Sequence, residues 1–336
     1  MNHCEPDFHQ LLTVLRREKP DRPVLFEFFL NTTLYKQLAP DQYRPAQSLS
    51  DDSMNRLHAY FAAGYDYVCA EGCILPFPAK DRRKLSSHSL NDGIVIRSQA
   101  DAESAVWPEV SGLDWTSLDT ISAKLPHGMG IIACPSAGGV LEMMIELLGF
   151  DGLCIALYEQ RELVRFVADR VGEALLAYYE QVLTHPAVFA IISSDDWGFK
   201  TQTMVSPADL REFVLPWHRK FIEAAARHNK PAILHCCGQT CELMDDIVDI
   251  GFAAKHSFED AIQPVEQAWE QYGGRIALLG GIDVDFLCRA AKEDITRRSL
   301  EMLERTGCRG WALGSGNSIP EYIPRESYLA MISAAL

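Results

Sequence analysis

Apolar residues in this chain follow two alternating rhythms. Short, near-continuous apolar runs occur at residues 24–29, 65–71, 130–134, 189–193, 232–234, 253–258, 276–279 and 310–313, which makes eight candidate strands. Between most of them, apolar positions recur every three to four residues, the period of a helix with one buried face. Residues 6–18 show it with Phe8, Leu11, Leu12 and Leu15, closed by Pro20 and Pro23. Residues 161–183 and 295–306 carry similar patterns. The clearest case is 206–228, where Ser206 stands as N-cap, Pro207 takes the first position and Asp209 closes a capping box. Leu210, Phe213, Val214, Phe221, Ile222 and Ala225 then form one stripe. Pro216 should bend that helix, because its ring clashes with the carbonyl four residues back.

Strands that are apolar throughout and separated by helices belong in a parallel sheet covered on both faces. Eight of them favour a closed (β/α)8 TIM barrel of class α/β over an open doubly wound sheet. No composition break, low-complexity linker or close repeat marks a seam, so a single domain over residues 1–336 is expected. The spacing is uneven in one place. Residues 73–127, between the second and third strands, form an insertion whose polar stretch 84–97 is broken by Asn91-Asp92-Gly93. Asp-Gly between alternating residues signals a hairpin, so a hairpin-containing lid or side cover is expected there.

Composition narrows the class. With 48% hydrophobic residues the chain has ample material for a core, and disorder is excluded. A net charge of -15, with Arg82-Arg83-Lys84 the only compact basic run, leaves no electrostatic footprint for nucleic acid. No apolar stretch of about 18 residues occurs, and the first residues lack the charged and apolar regions of a signal peptide. No membrane partner and a cytoplasmic location are therefore expected. The ten cysteines are too sparse for a disulfide scaffold and should be reduced, most of them as small core residues. Residues 328–332 are apolar enough for either a core helix or a homodimer interface.

In a barrel of this kind the chemistry belongs at the C-terminal strand ends. Here those ends are polar: Glu27 and Asn31, Glu71, Ser136, Asp195 and Asp196, His235 and Cys237, Glu259, Asp283, and finally Ser315, Asn317 and Ser318. Glu27, Glu71, Asp196 and Asp283 are the candidate catalytic groups; Asn31, Ser136, Glu259, Ser315 and Asn317 are candidates for binding substrate or cofactor. Two adjacent acids point to opposite sides of an extended chain, so one of Asp195 and Asp196 faces the axis and the other serves as a loop cap. Glu27 could equally cap a helix or pair with an arginine, and Asp283 could N-cap the next helix.

The densest ligand cluster is PAILHCCG, residues 231–238. An apolar strand there delivers His235 and Cys237, two apart and so on one side of an extended chain, to the mouth of the sheet. Imidazole and thiol are zinc-preferring ligands; the alternative is a reduced cysteine cluster packed beneath the following helix. A catalytic zinc takes three protein ligands and one open position, with Cys241, Cys236 or a carboxylate such as Glu259 or Glu27 available as the third. A mouth lined with Glu27, Glu71 and Asp196 would repel a polycarboxylate substrate.

Four segments, DDWGFKTQTMVSPADLREFVLPWHRK, the HCCG strand end, the GGID turn and the closing LGSGNSIPEYIP, resemble the uroporphyrinogen decarboxylase superfamily, in particular its corrinoid-dependent methyltransferase branch. The likeness spans nearly the whole chain and implies a (β/α)8 barrel. Two features depart from the decarboxylases. Their arginine-rich segment after the first strand, which holds substrate carboxylates, is replaced by Glu27-Phe28-Phe29-Leu30-Asn31, and their Gly-His-Gly turn by Gly314-Ser315-Gly316. The methyltransferase branch implies a zinc held by a His-X-Cys pair, matched by His235 and Cys237, and by a later cysteine that aligns at Asn317, leaving the third ligand open. It also implies a thiol activated by that zinc and a corrinoid (cobalamin) supplied by a partner protein, with methyl transfer in either direction. Tetrapyrrole decarboxylation and a non-catalytic corrinoid- or tetrapyrrole-binding barrel are the alternatives.

Overall fold

The structure, a computed structural model, describes residues 5–78 and 89–336. Seven strands form one parallel sheet in chain order: β1 (Tyr67–Ala70), β2 (Gly130–Ala133), β3 (Val188–Ser194), β4 (Ala232–His235), β5 (Ala254–His256), β6 (Ala277–Leu279) and β7 (Trp311–Ala312). Every strand residue but Ser194 is buried, because helices cover one face and the sheet's own interior covers the other. That two-sided burial explains runs that are apolar without alternation.

The first of the eight expected strands is not one. Residues 24–29 join the sheet through a single parallel bridge, Leu25 with Leu313. Phe26 N–H donates to the Leu313 carbonyl and Leu313 N–H to the Val24 carbonyl, both at 2.8 Å. On the opposite side a buried phenol replaces the ladder. Tyr67 Oη accepts from Glu27 N–H at 2.7 Å and donates to the Glu27 carbonyl at 2.8 Å, while Tyr60 Oη donates to the Phe28 carbonyl at 2.9 Å. Buried backbone groups must be paired, and here side chains from 67 and 60 pair them where a neighbouring strand would otherwise do so.

The expected hairpin is also revised. Its first arm, 84–88, lies outside the described residues. Residues 90–93 form a turn, and the stretch after it runs against a helix end: Val95 and Ile96 N–H both reach the Leu147 carbonyl at 3.0 Å. Asn91 Oδ1 meanwhile accepts from Asp151 N–H at 2.8 Å, in the first turn of helix Phe150–Glu159. Among the described residues, then, the Asn-Asp-Gly segment ties down two helix termini and forms no strand.

The helix predicted over 206–228 starts as expected, with Ser206 Oγ accepting from Asp209 N–H at 3.1 Å. It is then wound as a π-helix over Leu210–Val214 before the α-helix Leu215–Arg227. Pro216 has no N–H to give and its ring needs room beside the preceding turn, and the wider π turn directly before it supplies that room.

One buried polar chain links three of these layers. Ser193 Oγ, at the end of β3, lies 3.0 Å from His218 Nδ1, and His218 Nε2 lies 2.9 Å from Asp195 Oδ2. Asp195 also accepts from Leu141 and Glu142 N–H, each at 3.1 Å, capping helix Val140–Leu148 from a distant part of the chain. Replacing Asp195 by Ala strips two helix donors and a buried imidazole of their partner at once. We expect a loss of about 2–4 kcal/mol, read from the urea midpoint at constant m-value.

Candidate metal centre

Parallel register sets Ser194, His235 and His256 at one level across β3, β4 and β5. Beyond that level the chain turns at Gly238, whose φ is +80°; a Cβ there would come within 1.9 Å of the Gly198 carbonyl oxygen. Glycine lets the loop after β4 press its backbone against the loop after β3. The approach carries Asp196 onto Cys237, whose N–H donates to Asp196 Oδ1 at 2.9 Å.

The result is a three-group cluster. A carboxylate oxygen of Asp196, a ring nitrogen of His235 and Cys237 Sγ all lie within 4.8 Å of one another. His235 Nε2 and Cys237 Sγ are 3.5 Å apart. A tetrahedral zinc with bonds of about 2.05 Å to nitrogen and 2.3 Å to sulfur would hold those atoms roughly 3.5 Å apart, so the donor set and its spacing fit such an ion. None of the residues considered from sequence for the third position belongs to this cluster. Cys241 is exposed, with Sγ directed at Gln263 Oε1 at 3.7 Å; Cys236 is fully buried; Glu259 lies further out, on the wall of a cavity. Asp196, read from sequence as a catalytic acid, stands in that position instead.

Burial sets the protonation. Desolvation, then His256 and Lys255, lower the basicity of His235 well below the ordinary imidazole range, and desolvation brings His256 down to about 3. Both rings are therefore neutral, as ligation requires. Desolvation, followed by the charge of Asp196, pushes the Cys237 thiol upward, so a cation entering the cluster must displace its proton. Asn317 Nδ2 donates to Cys237 Sγ at 3.2 Å, and Ser257 Oγ makes a longer contact at 3.8 Å.

Glu27 is fully buried behind this layer. Its Oε1 accepts from Ser315 N–H at 2.6 Å, and its Oε2 lies 2.8 Å from Ser315 Oγ, which is itself 2.6 Å from the Asn317 carbonyl. A hydroxyl has one proton and cannot donate along both short contacts. The Asn317 carbonyl can only accept, so the second proton belongs to Glu27, which donates to Ser315 Oγ. Desolvation, opposed by the two Ser315 hydrogen bonds, pushes this acid up to about 8, in agreement with that count. Glu27 is a neutral carboxylic acid near pH 7.

Other sequence candidates have structural employment. Glu71 forms a two-pronged pair with Arg56, at 2.9 and 3.2 Å, and Arg56 also donates to the Cys69 carbonyl. Asp283 caps helix Val284–Arg289 through Phe286 N–H and accepts from Asp260 N–H, both at 2.9 Å. Both carboxylates thus have structural partners outside the three-group cluster. Asn31 caps helix Thr32–Leu38 and donates to the Pro320 carbonyl at 3.0 Å, and Ser136 Oγ accepts from Leu75 N–H at 2.8 Å. The electrostatic case against a polycarboxylate weakens accordingly, since Glu27 is neutral and Glu71 is paired, leaving Asp196 of the three. A cavity of about 470 Å³ reaches Asn317, the neighbour of Cys237, and is walled also by Phe29, Asn31, Glu259, Ser318 and Tyr322.

Two residues of this neighbourhood went unnoticed in the sequence. His256 contacts His235 through a 2.7 Å Nδ1–Nδ1 approach. Glu142 accepts from Gly139 N–H at 3.1 Å and is pushed up to about 8 by burial and then by Asp195 and Asp196. The signal for His256 was its place at the end of an apolar run next in order after the one that ends in His235.

Similarity to known proteins identifies the family and the fold. The family model for uroporphyrinogen decarboxylase (URO-D) matches residues 116–335. A methylated-thiol–coenzyme M methyltransferase from Methanosarcina mazei is 31% identical over 122 residues, 36% of this chain and 32% of that protein. A uroporphyrinogen decarboxylase from Anaeromyxobacter sp. is 25% identical over 187 residues, 55% of this chain and 51% of that protein. The chain thus spans about a third to a half of the length of these relatives. Among solved structures, a methyltransferase from Methanosarcina mazei superposes with a TM-score of 0.73 at 18% identity over 97% of both chains, which shows a shared fold. With well over half of its length matched by the family model, the chain belongs to the uroporphyrinogen decarboxylase (URO-D) family.

Proposed function

We propose that this protein is a metal-assisted methyltransferase that moves a methyl group between a corrinoid held by a partner protein and a small thiol. The observation that carries the reading is the nitrogen, sulfur and oxygen donor cluster of Asp196, His235 and Cys237 at the strand ends of a fold shared with a methyltransferase. The methylated-thiol substrate in the name of the 31% identical relative favours sulfur as the methyl-carrying atom here as well.

Asp196, His235 and Cys237 would hold a zinc ion. Bound there, zinc supplies Lewis-acid stabilisation of a substrate thiolate, the nucleophilic form of a thiol. The chain's own groups prepare that place. His235 is kept neutral by burial, and Asp196 is aimed by the Cys237 N–H. Asn317 donates to Cys237 Sγ and so spreads negative charge off the sulfur. Glu27, through Ser315, fixes the turn that presents Asn317, and as a neutral acid it does so without adding a charge behind that turn. The cavity beside Asn317 has room for a small molecule, with Phe29 and Tyr322 as apolar walls.

Metal uptake tests the reading. Metal-free protein dialysed against limiting zinc should take up about one ion per chain by elemental analysis, and Cys237→Ser and Asp196→Asn should each weaken uptake by about tenfold or more. Wild-type protein that binds no divalent metal under these conditions would sink the proposal.

Glu27 generates a second expectation. Its folded pKa of about 8 lies above the ordinary 4.5, so the folded state holds a proton that the unfolded chain releases. The stabilisation is complete below the lower value and is lost as pH rises towards the upper one. Glu27→Gln keeps an acceptor for Ser315 N–H and a donor for Ser315 Oγ without titrating. Urea denaturation of the metal-free proteins between pH 5 and 8 should show wild type losing stability relative to the variant; parallel curves would refute a protonated Glu27.

A further inference from the structure

His235 can serve the cluster only if Nε2 carries a lone pair, and its other nitrogen decides that. His235 Nδ1 faces His256 Nδ1 at 2.7 Å, so one proton lies between them. Two arrangements exist. In the first, His235 Nδ1–H donates to His256 Nδ1, His256 carries its proton on Nε2 and directs it at the Ser315 carbonyl 3.4 Å away. In the second, His256 Nδ1–H donates to His235 Nδ1. His256 Nε2 then presents a bare lone pair to the Ser315 carbonyl oxygen, and the His235 proton moves to Nε2, where it blocks the cluster. His256 and Ser315 are both 0% exposed, so no water relieves that opposition of two acceptors. The first arrangement gives both ring nitrogens of His256 and Nδ1 of His235 a complementary partner.

Resting on the metal-centre reading above, we propose that His256 is a positioning residue that locks His235 in its Nδ1–H form and so holds the Nε2 lone pair on the cluster. The lock is built into the fold. His235 and His256 are register partners on adjacent parallel strands, and the Phe26 ring packs edge-on against His256 with centroids 5.1 Å apart. The far end is fixed as well, since Ser315 N–H and Oγ are both engaged by buried Glu27. A ligand imidazole that gives its second proton to a fixed acceptor is oriented and made more basic at the ligating nitrogen.

Long-range nitrogen–proton correlation spectra of the histidine rings, recorded on metal-free wild type, test this directly. His235, assigned by the signal lost in His235→Gln, should be protonated on Nδ1. In His256→Leu that signature should be lost and zinc affinity, measured against a chromophoric chelator, should fall about 10–100-fold. His256→Gln, which keeps an acceptor and a donor, should recover most of the affinity. A wild-type His235 protonated on Nε2 would overturn the proposal, as would a folded His256→Leu protein that binds zinc as tightly as wild type. If His256→Leu does not fold, the wild-type tautomer and the Gln variant decide. If wild type binds no zinc, the metal-centre reading fails, while the metal-free spectrum still judges the role of His256.

Discussion

Little water reaches the level where β4 and β5 end, and each buried polar group there has to find a protein partner or give up its charge. His235 is 5% exposed, and Glu27, His256 and Ser315 are fully buried. In such surroundings an unpaired charge costs far more than proton uptake or release. Glu27 takes up a proton, both imidazoles shed theirs, and Glu71, beyond β1, pairs with Arg56. The negative charge left beside the cluster is concentrated on half-buried Asp196.

Geometry follows from the same burial. Parallel register brings the two histidines level, and the glycine contact between positions 198 and 238 draws the β3 loop over the β4 loop. Asp195 and Asp196 then divide their work as neighbours on an extended chain must. One turns towards His218 and a helix N-terminus, the other towards Cys237. Because a single peptide joins them, the buried cap at Asp195 helps to fix the direction of half-buried Asp196.

Much of this was legible in the sequence, and the gaps have physical causes. Seven of the apolar runs are strands because two-sided burial leaves a continuous signature. The run at 24–29 has the same signature, yet it is held by Tyr67 and Tyr60, whose reach across tens of residues no local pattern encodes. His235 and Cys237 could be paired from spacing alone, since alternation along one strand is local. Asp196 could be nominated as an acid but not as their partner, because that needs the register of β3 against β4. Glu71 and Asp283 sit at strand ends as expected, but Arg56 and the helix donor at Phe286 claim them. For Asp283 the capping signal was visible beforehand; for Glu71 the cation fifteen residues upstream was not.

The charge balance at the rim makes the neutrality of Glu27 consequential. Asp196 as a carboxylate and Cys237 as a thiolate together match one divalent cation, so any thiolate arriving as a further ligand leaves one negative charge in excess. Buried Lys255 is placed to offset it. Its ammonium donates to the Ser257 carbonyl at 2.7 Å and lies 4.4 Å from the Phe258 ring centre. Burial pulls its pKa down, against the opposing pull of neighbouring Asp196. Asn317 and Ser257 add hydrogen-bond donors at the sulfur. The same dry layer that keeps the histidines neutral keeps Glu27 protonated, so no carboxylate charge is added behind Ser315.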